Sequence, residues 1–325
     1  MAAAPKNITL AELRDRARKG DLNNQELRAY FALDKLHSEA FVPAVRVNYA
    51  RVDTGGKELS AKRTAALYAL ATAERKVAPV RRRMRVTTLV ARPRVLAEGD
   101  SWFNLPDLFY PRDAIDVLRQ THDVVNMAIW SDTIQNMVKQ KQYVQKLKAG
   151  TGFRHFLFSG GGNDVLGSIG EFVLPRRHGD TNSSRVNAAS YVKAEFTTQV
   201  GKVIGLYGTM LKDVRKVSTA TVYVHGYANA VPKKNGPYLG ERLEALGFDP
   251  AAVGPLCKAI IKHMVGMFNT KLEDFATSNQ GVVYVDLRPH MGANDWHTDE
   301  IHPRASGATK IADAFAAKIA ATPVS

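Results

Sequence analysis

Ser101 stands in the run Glu98-Gly99-Asp100-Ser101-Trp102, directly after the apolar residues Val95, Leu96 and Ala97. Gly99 permits a tight turn, so the serine can stand at the end of a strand with the following amides turned toward an anion. The same residues also suit a plain strand-ending turn in which Asp100 and Ser101 act as caps. A second run, Ser159-Gly160-Gly161-Gly162-Asn163-Asp164, follows another apolar stretch. Three glycines let backbone approach a ligand closely, and the Asn163 side chain could donate to a developing oxyanion. Its plainer use is a connection in which Asn163 and Asp164 cap the next helix. The third run is Asp299-Glu300-Ile301-His302-Pro303. A carboxylate and an imidazole three residues apart in one loop can hydrogen-bond, which fixes the imidazole tautomer and stabilises its protonated form. Asp295 and His297, in the same loop, offer a rival pair.

These runs need elements to hold them. From about residue 91, short apolar runs alternate with helix-length amphipathic stretches. The pattern predicts strands over 94–99, 123–129, 155–158, 221–224 and 281–285. It predicts helices over 112–119, 133–148, 188–216, 251–275 and 306–321. Strand–helix alternation implies crossovers and a parallel sheet with helices on both faces, and ligands then bind at the carboxyl ends of the strands. The serine and glycine-rich runs each follow a predicted strand, and the Asp-x-x-His run precedes the last helix.

Taken in order, the three runs resemble the SGNH/GDSL hydrolases, whose blocks read Gly-Asp-Ser, a central Gly, Gly-x-Asn-Asp and Asp-x-x-His. The resemblance covers roughly residues 94–325. The longer forms Gly-Asp-Ser-Trp-Phe and Ser-Gly-Gly-Gly-Asn-Asp are similar to a bacterial subgroup. The resemblance implies a three-layer α/β/α fold of flavodoxin-like type, with a five-stranded, mainly parallel sheet. It implies a carboxylic ester hydrolase of esterase, lipase or acetylesterase type that needs no cofactor and no metal. It makes Ser101 the nucleophile, His302 the base and Asp299 the group orienting the base. The oxyanion hole would comprise the Ser101 amide, the Asn163 side chain and a block-two amide. That block aligns on Val125–Thr133 and places Ser131 where glycine is usual; a backbone amide survives the change if the local angles suit serine. Trp102, Gly162 and Asp164 are expected beside the substrate, a small-molecule, carbohydrate or lipid ester. The Pro303 and Gly307 context favours Asp299 and His302 over Asp295 and His297.

Other residues carry two readings each. Trp102, Phe103, Phe109 and Tyr110 could line a pocket or pack in the core. His225 could touch substrate or be a satisfied structural histidine. The polar stretch 167–190 could form a rim or an exposed insertion.

The chain has 325 residues and 45% apolar composition, enough for a sizeable core. The single cysteine, Cys257, excludes an internal disulfide and reads as a packed apolar residue. No apolar run reaches the ~18 residues of a membrane span, and the amino terminus lacks the apolar core of a signal peptide, so a cytoplasmic protein is expected. Residues 1–90 read as a helical extension with a Thr9/Glu12 capping box, a helical pattern from Asn24 to Leu36, and an Ala-rich helix over 62–76 with Leu67, Leu70 and Ala71 on one face. This extension could serve homo-oligomerisation. The net charge of +14 includes one dense cluster, Arg81–Arg85. No nucleic-acid motif accompanies it, and a nucleic-acid partner is not expected. Two rival functions are a catalytically weak or silent SGNH-fold binding protein, which the serine at position 131 would suit, and an anion or nucleic-acid binder acting through the basic segment.

Overall fold

The computed structural model describes residues 5–39, 42–73, 92–105, 112–148 and 152–322. The Arg81–Arg85 cluster, Phe109 and Tyr110 lie outside the described residues. The chain divides into two compact units, Met1–Ala91 with Pro106–Pro111, and Arg92–Leu105 with Arg112–Ser325.

In the first unit, β1 (Ile8–Thr9) leads into α1 (Leu10–Lys19), where Thr9 and Glu12 form the expected capping box. Helix α2 (Asn24–Tyr30) starts from a second box, Asn23 with Glu26. It ends at Tyr30, whereas the apolar spacing predicts helix through Leu36; Phe31 instead takes up extended backbone and opens β2 (Phe31–Glu39). Strand β2 pairs antiparallel with β3 (Val42–Val47), Phe31 facing Val47. Non-local strand pairing has overridden a local 3.6-residue period here. The short β4 (Val52–Asp53) pairs parallel with β1, and α3 (Ala61–Ala73) follows. Leu67 and Ala71 are buried as expected, but Leu70 is 39% exposed, off the core-facing stripe.

The second unit holds β5 (Arg94–Gly99), α4 (Ala114–Leu118), β6 (Asp123–Asn126), α5 (Ile134–Gln140), α6 (Gln142–Lys148), β7 (His155–Ser159), α7 (Gly162–Leu166), α8 (Ile169–Phe172), α9 (Arg185–Ala189), α10 (Ala194–Arg215), β8 (Thr221–His225), α11 (Gly240–Ala245), α12 (Gly254–Thr277), β9 (Val282–Val285) and α13 (Ala305–Ala321). The five strands form one parallel sheet in the order β6-β5-β7-β8-β9. Helices α4 and α13 pack together, while α10 packs on α5 and α12, so helices flank the sheet as the sequence pattern predicts. All five residues of the central β7 are buried, as expected of a parallel strand covered on both faces. Along α12, Leu256, Ile260, Met264, Phe268 and Leu272 bury one stripe at helical spacing. Two predicted helices are broken. The 133–148 segment splits at Lys141, which is left-handed (φ 53°). The 188–216 segment splits where Val192 bridges Val173 before α10 begins. None of the described helices is long and apolar enough to cross a membrane.

The strand order reverses between β5 and β7: from β5 the chain steps outward to β6, then returns to the other side. A crevice opens at such a reversal, at the carboxyl ends of the strands. Ser101 follows β5 and the glycine-rich turn follows β7, so both flank that point.

Candidate active site

The turn that carries Ser101 is fixed by close packing. A Cβ on Gly99 would stand 2.6 Å from the Ser159 Cβ, so only glycine lets the ends of β5 and β7 meet. Beyond Gly99, Asp100 is 2% exposed and its carboxylate gathers three donors. Its Oδ1 accepts from the Trp102 amide at 3.1 Å and the Ser159 hydroxyl at 2.7 Å; its Oδ2 accepts from the Tyr227 hydroxyl at 2.7 Å. Tyr227 in turn accepts from the Gly162 amide at 2.9 Å. A Cβ on Gly162 would lie 2.8 Å from the Tyr227 ring, so that glycine permits the contact. Burial and Asp100 hold the Tyr227 hydroxyl well above its ordinary range, so it stays a donor. His225 Nε2 lies 2.8 Å from Ser159 Oγ. His225 Nδ1 lies 3.2 Å from the Gly226 carbonyl oxygen. One buried network thus ties the ends of β5, β7 and β8 together. The sequence reads Asp100 only as a turn cap and gives Ser159 and Tyr227 no role; their pairing spans strands far apart in the chain.

The rest of the site closes on Ser101, which is 6% exposed. His302 Nε2 lies 2.9 Å from Ser101 Oγ, and His302 Nδ1 lies 2.8 Å from Asp299 Oδ2. Asp299 Oδ1 also accepts from the His302 amide at 3.1 Å, which fixes the loop around both residues. The Tyr238 ring meets the His302 ring edge-on at 5.7 Å. Glu300, between the two, is fully buried and left-handed (φ 79°). Its carboxylate accepts the amides of Lys233, Leu239 and Gly240 at 2.6–3.0 Å and that of Tyr238 at 3.2 Å. Burial pushes the Glu300 carboxyl up, and these amides oppose the push. The rival pair lies elsewhere. Asp295 bonds Lys310 at 2.6 Å and the Gly292 amide at 2.8 Å, while His297 Nδ1 is 3.8 Å from Asp299.

The block-two turn lies alongside. The Ile129 amide donates to Gly99 O at 2.9 Å, extending the β5–β6 ladder toward the serine. Ser131 is left-handed (φ 66°), a conformation that favours glycine, and its hydroxyl is buried with no hydrogen-bond partner among the described residues. Asn163 donates one side-chain N–H to Asp132 O at 2.7 Å, leaving its second N–H for another acceptor. Asp164 accepts from the Ile134 amide at 3.1 Å, at the start of α5; burial pushes its carboxyl up to about 6. Trp102 is 5% exposed and packs on His225, Tyr227 and Trp296, with ring centroids 5.6, 5.0 and 5.9 Å away. Thus Trp102, Gly162 and Asp164, expected beside the substrate, make their visible contacts with the protein itself. Glu98, one residue before Gly99, is buried and pushed up to about 8 by burial. Cys257 is buried and its thiol raised to about 11.

Residues 98–315 match the GDSL-like Lipase/Acylhydrolase family. The chain belongs to this family. As a GDSL-family protein it is an ester hydrolase by class. Its fold is similar to solved structures of low sequence identity. A carbohydrate acetylesterase family member from Sinorhizobium meliloti is 14% identical over 70% of this chain and 96% of that one, with a TM-score of 0.43. A lipase from the goat rumen metagenome is 12% identical over 69% and 96%, with a TM-score of 0.45. A carbohydrate esterase family 3 protein from Talaromyces cellulolyticus is 16% identical over 70% and 96%, with a TM-score of 0.39. None of the curated proteins matches the chain. Ser131 holds a left-handed backbone angle that glycine adopts readily.

Proposed function

We propose that this GDSL-family chain is a serine esterase that hydrolyses carboxylic esters through an acyl-enzyme on Ser101. The observation that carries the reading is the relay from Ser101 Oγ to His302 Nε2 (2.9 Å) and from His302 Nδ1 to Asp299 Oδ2 (2.8 Å). His302 Nε2 takes the Ser101 proton as Oγ bonds to the ester carbonyl carbon. Asp299, accepting from Nδ1–H, stabilises the imidazolium. The oxyanion rests on the Ser101 amide, the Ser131 amide and the second N–H of Asn163. The imidazolium then protonates the leaving alkoxide, the alcohol departs, and the acyl group stays on Oγ. Water enters, loses a proton to His302 and attacks the acyl carbon; the acid leaves and Ser101 recovers its proton. These steps use only the chain's own groups. The left-handed backbone at Ser131 supports this reading over a silent binding module, because it can direct the amide as a glycine would.

The test is a p-nitrophenyl acyl ester series and acetylated sugars, run beside a fluorophosphonate probe. Turnover and labelling are expected, with both abolished in Ser101→Ala. Folded protein that neither turns over any ester nor accepts the probe refutes the reading.

A further inference from the structure

We propose that His225 is held as an imidazolium and, through the Ser159 hydroxyl, offsets the charge of Asp100 beside Ser101, which makes it a positioning residue. That role rests on the acyl chemistry proposed above; the protonation of His225 does not. Three contacts run in a line from Gly226 O through the His225 ring and Ser159 Oγ to Asp100 Oδ1, at 3.2, 2.8 and 2.7 Å. Each needs one proton between its two heavy atoms. The carbonyl supplies none and the hydroxyl supplies one, so two come from His225 and Asp100 together. That is one more than a neutral imidazole and a carboxylate hold between them. The other contacts of Asp100 place the extra proton on His225: the Trp102 amide donates to Oδ1 and the Tyr227 hydroxyl to Oδ2, as suits a carboxylate. Ser159 then donates to Asp100, and both ring nitrogens of His225 donate, one to Ser159 and one to Gly226.

His225 is fully buried, with the rings of Trp102, Phe103 and Phe315 5.5–5.7 Å away. Burial favours the neutral ring, and Asp100 and the Gly226 carbonyl oppose it. A neutral ring, however, leaves either Nδ1 bare against Gly226 O or Ser159 and Asp100 in contact with no proton between them. Tyr227 is the other titratable group facing His225, with ring centroids 5.1 Å apart, and its hydroxyl stays protonated. Asp132 before α5, Asp164 on α7 and Tyr207 on α10 lie near enough to Asp100 to feel its charge, and none of them is a cation. No lysine or arginine pairs with Asp100 among the described residues. A buried carboxylate with no cation, one residue from the Ser101 amide, opposes the negative charge that grows on an oxyanion there. The His225 charge removes that opposition.

The experiment is NMR of the full chain carrying isotope-labelled histidine, with His225→Gln used to assign the signal, beside p-nitrophenyl ester kinetics. At neutral pH, His225 of the parent chain is expected to carry a proton on each ring nitrogen, and in Asp100→Asn to lose one. His225→Gln can keep an N–H toward Ser159 without the charge, so kcat should fall about tenfold or more with KM little changed. The double variant, His225→Gln with Asp100→Asn, removes both charges and should recover much of that loss, which a merely structural role would not allow. A neutral His225 in the parent, in either tautomer, overturns the proposal. A double variant no faster than His225→Gln overturns the positioning role. An imidazolium at His225 in a chain without ester turnover would sink the esterase reading and the positioning role with it, and leave the buried charge pair established.

Discussion

Two residues decide whether the proposed acyl chemistry runs, and a third, Ser131, sits in a backbone conformation that favours glycine. Ser101→Ala and His302→Ala are each expected to lower ester turnover about 10⁴-fold or more, with little change in stability. Steady-state kinetics beside a thermal melt checks both. Ser131 combines a left-handed backbone with a buried hydroxyl that has no partner among the described residues, two unfavourable features at one position. Ser131→Gly keeps the amide and removes both, so a gain of about 1 kcal/mol in stability with kcat retained is expected. Ser131→Val should do the opposite, because a β-branched residue fits that conformation worst. A Ser131→Gly protein less stable than the parent would show that the hydroxyl has a favourable contact.

At the scale of elements, the loop carrying the proposed base is anchored from the α11 side. Glu300 receives amides from residues 233 and 238–240, so its carboxylate joins the approach to α11 to the loop between Asp299 and His302. Glu300→Gln removes the negative charge and places an NH₂ against at least one of these donors. A loss of about 2–3 kcal/mol is expected from urea unfolding. Because the loop and not the substrate is affected, kcat should fall more than KM rises. A rise in KM alone, with kcat preserved, would place Glu300 against substrate instead. The opposite side of the cleft is held in the same manner. Asp100, Ser159, Tyr227 and His225 bind three strand ends together, and Tyr227→Phe cuts the link between Asp100 and Gly162. That change should cost about 1–3 kcal/mol and reduce fluorophosphonate labelling of Ser101.

For the whole molecule, burial of carboxyl groups beneath the site links stability to pH. Glu98 titrates near 4.5 in the unfolded chain and is pushed up to about 8 in the fold. Between these values the folded protein holds a proton that the unfolded chain releases. Stability from this group is therefore fully present below about pH 4.5 and declines as pH rises through about 8. Asp164, raised to about 6, adds to the decline in the lower part of that window. Glu98→Gln should flatten the fall in Tm between the two ends of the window. An unchanged Tm profile would show that Glu98 is not the group responsible.

Much of this organisation is legible in the residues alone. Alternating strand and helix patterns predict a parallel sheet, and three short runs name a serine, an asparagine, an aspartate and a histidine in order. Those signals survive because each is local: a turn needs its glycine, and an Asp-x-x-His pair needs only one loop. The extent of the first unit's strands, the breaks at Lys141 and Val192, and the buried Asp100–Ser159–Tyr227–His225 network were decided by tertiary structure. The choice of His302 rather than His297 as the imidazole beside Ser101 also emerges in space, although the family pattern favours it. Asp100 and Tyr227 are 127 positions apart, and Glu300 reaches across 60 to 67 positions to its amides. Hydrogen bonds of that kind form only once the sheet has brought distant segments within about 3 Å, so no periodicity along the chain records them.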